Sequence, residues 1–564
     1  MKSDPFTQKF GHAHPWIKTY PPGTRWNAPL RTLALPQMLD GAAARWPARC
    51  ALHFEGRSFS YAELADLSDR MAQGLLRLGI GPGSHVRLYL PNTPHYIISF
   101  FAVLKAGATV VNYSPLDAGA ALEHKIGDSE TDFIVTLDSP ALFAKMNGFL
   151  GTTRLRGLIV GSVNEFGGAS APQDAHAVAW DAQRLRFADL LKASPAAGAA
   201  RPQPPALEAV AVLQYTGGTT GHPKGAMLTH ANLSSAVSQV WHTLVGAGTL
   251  AEGEETFLSV LPLFHIYSLV VNMLFGLSIG AKLILHQRFD LQATLDAIVA
   301  NKVSVFLGVP TMYVAFTGHP DIGRTDLSSL KFCNSGGAPI AAEVFQKFVR
   351  LAQCRLQEGW GMTESCTMAT ASPGVGAHRA GSCGIPVPGV EVKVISLDQQ
   401  VEVPLGTHGE LCIRGPNVMK GYWNNPEATR EAMTADGYLR TGDIGYMTEE
   451  GFVYIVDRTK DMIICGGFNV YPRNIEEAIY RHPAVEEVIV IGVPDAYRGQ
   501  SPKAFVKLKE GSAPLTLEQL RGFLGEYLGK HEMPHALELR AELPKTAVGK
   551  LSKKDLYTQE LGAA

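Results

Sequence analysis

Residues 215–230 read YTGGTTGHPKGAMLTH and follow the apolar, strand-like run EAVAVLQ (208–214). Gly217, Gly218 and Gly221 leave backbone N–H groups free to form an anion nest. Thr216, Thr219 and Thr220 add hydroxyl donors, and Lys224 adds a positive charge. This is the chemistry of a phosphate-holding loop. A Gly/Thr-rich hairpin turn is the structural alternative, and composition alone leaves the two even. The G-x-x-x-x-G-K-[ST] signature needs a Gly-Lys-Ser/Thr tripeptide. Here Pro223 precedes Lys224, and a strict G-x-G-x-x-G is also absent. The loop is neither of those nucleotide fingerprints.

The surrounding 564 residues exceed one hydrophobic core, so two or more domains are expected. Apolar residues make up 46% and charged residues 18%, which suits packed globular structure. The formal net charge is -2, with neither a basic tract nor an acidic tail, so no polyelectrolyte partner is implied, nucleic acid included. The start lacks the apolar stretch of a signal peptide. The most apolar segment, residues 268–281, is too short to span a bilayer. Seven cysteines with no C-x-x-C pair do not make a disulfide framework, so a reduced, cytoplasmic chain is expected. Peripheral attachment at the inner membrane face and a homodimer both stay open.

Helical and strand patterns alternate up to about residue 448. YAELADLSDRMAQGLLRLGI (61–80) reads as an amphipathic helix and HVRLYL (85–90) as a strand. HYIISFFAVLKAG (95–107) reads as a helix, and TVVNYS (109–114) as a strand. The expectation is an α/β fold with helix-flanked sheets. Residues 167–200, rich in Ala, Gly and Pro, read as a surface excursion. Beyond Lys460 come a short strand (462–465), a Gly-Gly turn, the helix RNIEEAIYRHP, the strands VEEVIVIGV and PKAFVKLK, and the helix LEQLRGFLGEYL. That is a small α+β module of normal domain size. The expected division is a large N-terminal body, 1–459, and a small C-terminal lid, 460–564.

The string at 215–230 resembles the ATP-binding loop of the adenylate-forming superfamily: acyl-CoA synthetases, luciferases and adenylation domains. The other family motifs follow in order: LPLFH (261–265), NSGGAP (334–339), EGWGMTE (358–364), GELCIRGPNVMKGYW (409–423), YLRTGDIG (438–445), DRTKDMIICGGFNVYP (457–472) and LPKTAVGK (543–550). The resemblance covers nearly the whole chain after about residue 35. It is nearest to bacterial long-chain fatty-acid–CoA ligases.

That resemblance implies a large multi-subdomain body with a mobile lid, and a reaction in which ATP and a carboxylate form acyl-AMP before coenzyme A takes the acyl group. It places the β- and γ-phosphates on residues 216–224, with Lys224 catalytic. Mg²⁺ goes to Glu364 and Thr216, and one carboxylate with phosphates and waters is an ordinary Mg²⁺ set. A first-turn helix acid is the alternative for Glu364. Asp443 is implied to accept both ribose hydroxyls, with Arg458 beside it. A turn aspartate is its alternative. Gly337, Ala338 and Pro339 are implied to run along the adenine and acyl carbonyl. Glu358, Gly359, Trp360, Gly361 and Thr363 complete the nucleotide strip, Trp360 offering a flat face to adenine. A core tryptophan competes with that role. His265 is read evenly as an acyl-entrance residue or a core histidine, and Leu269 stands where some long-chain members have a gating Trp. Lys550 is implied to neutralise the carboxylate and α-phosphate. Lys460 is implied as the hinge, while Gly466 and Gly467 line a coenzyme A tunnel. Ile464 and Asn474 depart from the Lys and Glu of relatives, which puts polar contacts to coenzyme A in doubt.

HEMPH (531–535) fits the zinc-protease pattern, but Pro534 disfavours the helix that pattern needs. No α/β-hydrolase nucleophile is expected. The reading is a medium- or long-chain fatty-acid–CoA ligase. Its alternatives are a ligase for dicarboxylic or aromatic acids, an acyl-AMP ligase loading a carrier protein, and a non-catalytic acyl-binding protein. The apolar run after His265, with Gly276, Ser278 and Gly280, and residues 367–372 are the expected walls of an acyl tunnel.

Overall fold

The computed structural model describes residues 14–115, 117, 119–167, 175–193, 203–216, 223–373, 379–466, 468–546 and 549–561. Its strands form four sheets among these residues. One holds a parallel array in the spatial order Val210–Tyr215, Thr109–Asn112, His85–Leu88, Phe133–Leu137, Gly157–Gly161 and Arg184–Arg186. A second holds the parallel strands Arg355–Trp360, Phe332–Ser335, Val305–Gly308, Thr256–Ser259, Lys282–Leu285 and Cys50–Phe54. Strands such as His85–Leu88 and Phe133–Leu137 are buried at every position, as expected when helices cover both faces of a parallel sheet.

Local sequence explains where the elements start. Ser60 caps the helix Tyr61–Arg77 by accepting the Glu63 N–H at 3.1 Å, while the Glu63 carboxylate takes the Ser60 N–H at 2.7 Å. The helix buries Tyr61, Leu64, Ser68, Met71, Ala72 and Leu75, one stripe at helical spacing. Pro94–Lys105 opens on a proline and is buried through Leu104. Residues 175–193 were read from sequence as part of a surface excursion. The structure instead finds there a parallel edge strand, Arg184–Arg186, and a helix, Phe187–Leu191. Phe187 is buried and anchors the segment.

A four-stranded antiparallel sheet follows: Glu391–Ile395, Gly409–Arg414, Leu439–Met447 and Val453–Arg458. The last sheet, made of Ile463–Cys465, Phe468–Val470, Val485–Asp495, Gly499–Leu508 and Ala536–Leu539, packs on the helices Pro472–Tyr480 and Leu517–Leu524. The carboxyl ends of the parallel strands run into the loops carrying the sequence motifs. That edge is where α/β sheets place their ligands.

Candidate active site

A cleft of about 3080 Å³ opens at those strand ends and collects residues from nearly every motif. Strands Val210–Tyr215 and Gly225–Thr229 pair as an antiparallel hairpin, and the Thr216 N–H to Lys224 carbonyl bond (3.0 Å) closes the base of the connecting loop. Thr216 and Lys224 both face the cleft. Gly217, Gly218, Thr219, Thr220 and Gly221 lie outside the described residues. The two described ends of the loop thus form the base of a hairpin and part of the cleft edge at once.

Lys224 stands 5.2 Å from the ring centre of Tyr422, whose hydroxyl donates to the Glu364 Oε1 at 2.8 Å. Burial holds the Glu364 carboxyl above its usual range. Tyr422 was not singled out from sequence, although it lies inside the motif at 409–423. Glu364 belongs to a short 3₁₀ turn, Thr363–Ser365, rather than to an α-helical first turn.

Asp443 and Arg458 face each other in register across adjacent strands, and the Arg458 Nε donates to Oδ1 at 2.8 Å. Trp360 donates its indole N–H to Oδ2 at 2.7 Å. The expected flat face is present in the cleft, but the ring is also buried in the core, and its polar edge is engaged with Asp443. Gly359 and Gly361 flank it. A Cβ on Gly361 would overlap the Thr367 carbonyl, so no other residue fits that approach. The Glu358 carboxyl, which takes the Ile340 N–H at 3.5 Å, is raised to about 7 by burial.

Lys550 reaches this cleft from the small domain. Gly337 has φ of 82°, and a Cβ there would overlap the Lys550 Cε and Nζ. The glycine makes room for the ammonium, while Ala338 and Pro339 continue the wall. Thr311 of the helix Pro310–Gly318 donates to the Gly549 carbonyl at 2.9 Å, tying the lysine's turn to the large domain. Burial, with Arg458 second, brings the Lys550 ammonium down to about 8. His265 lines the cleft too, and burial plus the nearby Lys550 lower it to about 3, so it is neutral. Its Nδ1 accepts the Tyr267 N–H at 3.3 Å, leaving Nε2 as the protonated nitrogen. Lys460 faces the cleft, lowered by burial and by Arg458.

Sequence reasoning missed the cluster that spans the two domains. The buried Asp457 accepts N–H groups from Arg458 (2.7 Å) and Arg473 (2.9 Å), and the Arg473 guanidinium reaches the Ile455 carbonyl at 2.6 Å. Lys553 pairs with Glu476 at 3.1 Å, and its charge acts on Asp457. The signal was present: Asp457 opens the motif DRTKD.

Gly466 sits at an exposed turn between Ile463–Cys465 and Phe468–Val470 and does not line the cleft in this arrangement, and Gly467 is outside the described residues. Their expected place on a coenzyme A path belongs to the state in which the small domain has turned about Lys460. Several expectations are corrected. Leu269 is fully buried and does not line the cleft. Gly276 and Gly280 do not line it either. A Cβ on Gly276 would meet Leu283 at 3.0 Å, and one on Gly280 would press into Trp46 at 2.6 Å, so both serve close packing. Ser278 spends its hydroxyl on the Phe275 carbonyl at 2.8 Å. The pentapeptide GLSIG (276–280) does fit the spacing G-x-S-x-G. It runs from helix to strand, however, opposite to a nucleophile elbow. The other proposed wall faces the cleft through Thr367, Met368 and Ala371. HEMPH lies in turns leading to the strand Ala536–Leu539, with the His531 ring tilted against Phe468 at 5.0 Å between ring centres.

Residues 39–423 match the family model for the AMP-binding enzyme, and residues 474–550 match its C-terminal domain. A long-chain-fatty-acid–CoA ligase of Bacillus subtilis (strain 168) is 38% identical, covering 97% of this chain and 98% of its own. MatB from Rhodopseudomonas palustris, solved bound to ATP, aligns with TM-score 0.83 and 27% identity over 94% of this chain and 100% of that one. MenE, the o-succinylbenzoate coenzyme A synthetase of Bacillus subtilis, solved with ATP and magnesium ion, gives 0.75 and 28% over 91% and 98%. The architecture is that of adenylate-forming enzymes. The chain belongs to the AMP-binding enzyme family.

Proposed function

We propose that the protein is an ATP-dependent fatty-acid–CoA ligase. It joins a carboxylate to AMP with release of pyrophosphate, then passes the acyl group to the thiol of coenzyme A with release of AMP. One observation carries this reading: Lys550 lies against Gly337 in the cleft that also holds Asp443, Glu364 and Lys224. Two anions must meet in the first step, and a buried ammonium between carboxylate and α-phosphate stabilises the charge of that encounter. Asp443, held from both sides, takes the ribose hydroxyls. Lys224 and the loop at 216–224 take the outer phosphates. His265, neutral and beside Lys550, borders the acyl entrance.

The donor set at Glu364 fits Mg²⁺ carried on the phosphates of ATP. Tyr422 occupies one carboxylate oxygen and leaves the other, and Thr216 offers a hydroxyl from the cleft edge. Bound there, the ion would neutralise phosphate charge.

We place the domain boundary at 459/460. In support, the large apolar core runs to Val453 and a separate one begins at Ile463. Lys460 then serves as the hinge, and rotation about it brings Gly466 and Gly467 to the coenzyme A path while withdrawing Lys550. All seven cysteines are unpaired, which supports a cytoplasmic location. Among the described residues no helix is long and apolar enough to cross a membrane. The fatty-acid class is supported by the 38% identical relative and by the apolar branch of the cleft along Val240, Leu244, Val271 and Met368.

The test is formation of CoA esters from a panel of fatty, dicarboxylic and aromatic acids. Medium- or long-chain acids should give the highest kcat/KM, with AMP release dependent on coenzyme A. A maximum at acetate or at an aromatic acid would overturn the fatty-acid class, and acyl-AMP formation indifferent to coenzyme A would overturn the ligase.

A further inference from the structure

A second, much smaller void, half open to the surface and about 30 Å³ in volume, shares lining residues with the main cleft. It holds one or two water-sized groups. Thr243, near the end of the helix His230–Leu244, and Ala371, in the strand Thr370–Ala371 next to the sheet edge, line both the void and the main cleft. They are the partition between the two. The Thr243 hydroxyl donates to the Gln239 carbonyl of its own helix at 2.8 Å, so its polar group is already satisfied.

The outer wall comes from the opposite end of the chain. Tyr20, Pro21 and Thr24 cover the void together with Pro386. This segment is fastened at four points. Trp16 is buried. The Thr19 hydroxyl donates to the Glu450 carbonyl at 2.6 Å, the Tyr20 hydroxyl to the Pro386 carbonyl at 2.5 Å, and the Trp26 indole to the Val390 carbonyl at 2.7 Å. A strap so anchored fixes one wall of a void that is otherwise half open to the surface.

We propose that this void is a terminal subsite for the methyl end of the acyl chain. Thr243 and Ala371 set the longest acid accepted, and the Tyr20 strap walls the subsite behind them. The inference rests on the fatty-acid reading above. It adds that chain length is measured at this partition and not along the glycines of residues 276–280. An acid one or two carbons longer than the cleft holds must push past two small side chains. Enlarging either closes the passage, and trimming Thr243 merges the void with the cleft.

The experiment is the kcat/KM profile over a series of saturated acids, from medium to very long, for the full chain and for Thr243→Ala and Ala371→Val. Thr243→Ala should move the optimum longer, gaining about fourfold for each further methylene buried. Ala371→Val should move it shorter, with the longest acids losing on the order of tenfold relative to acids about two to four carbons shorter. Opposite shifts from two substitutions cannot come from a general loss of folding. Profiles that keep the unmutated optimum in both variants would overturn the partition while leaving the fatty-acid reading intact. An unmutated protein that makes no fatty-acyl-CoA would overturn both.

Discussion

The indole Nε1 of Trp360 donates to the Oδ2 of Asp443 at 2.7 Å, while the Arg458 Nε holds Oδ1 from the other side at 2.8 Å. The carboxylate proposed to bind ribose is therefore oriented before any nucleotide arrives. Trp360→Phe keeps a flat ring and removes the donor. A hydrogen bond to a charged group contributes about 1.5–3 kcal/mol, so the Kd for ATP should rise by roughly ten- to a hundredfold. Calorimetry checks this. An unchanged Kd would show that the ring's face, and not its N–H, is what matters.

Lys550 gives adenylation a basic limb. Its ammonium is lowered to about 8, by burial first and by Arg458 second. A base with a lowered pKa keeps its charge below that value and loses it as pH rises through it. The kcat/KM for ATP–pyrophosphate exchange, which reports the free enzyme, should hold up to about pH 8 and fall above it. Lys550→Arg, whatever its rate, should lack that limb because guanidinium stays charged. The same limb in the arginine variant would assign it elsewhere.

Glu364→Gln should raise the Mg²⁺ concentration needed for half-maximal exchange, because a neutral amide is a weaker ligand. Tyr422→Phe removes one hydrogen bond to that carboxylate and should cost about 1.5–3 kcal/mol, roughly ten- to a hundredfold in rate. A magnesium titration separates the two. An unmoved midpoint in the glutamine variant would take Glu364 out of the metal site.

Asp457 joins the domains through Arg473 and faces Lys553. Asp457→Asn should slow adenylation several-fold and spare the transfer of a supplied acyl-AMP to coenzyme A, since only the first step uses this arrangement. Equal losses in both halves would make Asp457 a folding residue.

Much of this was legible beforehand, for identifiable reasons. His85–Leu88 alternates polar and apolar residues at strand spacing, and the Ser60 and Glu63 pair marks a helix start. The cleft residues were found because each sits inside a short motif whose residue types suit phosphate, ribose or metal. What escaped was set by three-dimensional packing. Gly276 looked like space beside a tunnel, but Leu283 fills that space. Trp360 looked like a stacking surface, and the carboxylate at its edge comes from 83 residues further along. Asp457, Arg473 and Lys553 meet only when the two domains do. No local pattern encodes that.

The most direct test of Lys550 is Lys550→Ala, with the two half-reactions measured separately. ATP–pyrophosphate exchange with a fatty acid should fall by on the order of a hundredfold or more, as for the loss of a preorganised charge at the reacting centre. Thioester formation from supplied acyl-AMP and coenzyme A should stay within a few-fold of the unmutated protein. An equal loss in both, or exchange that survives, would contradict the role of Lys550 and the two-step use of the cleft.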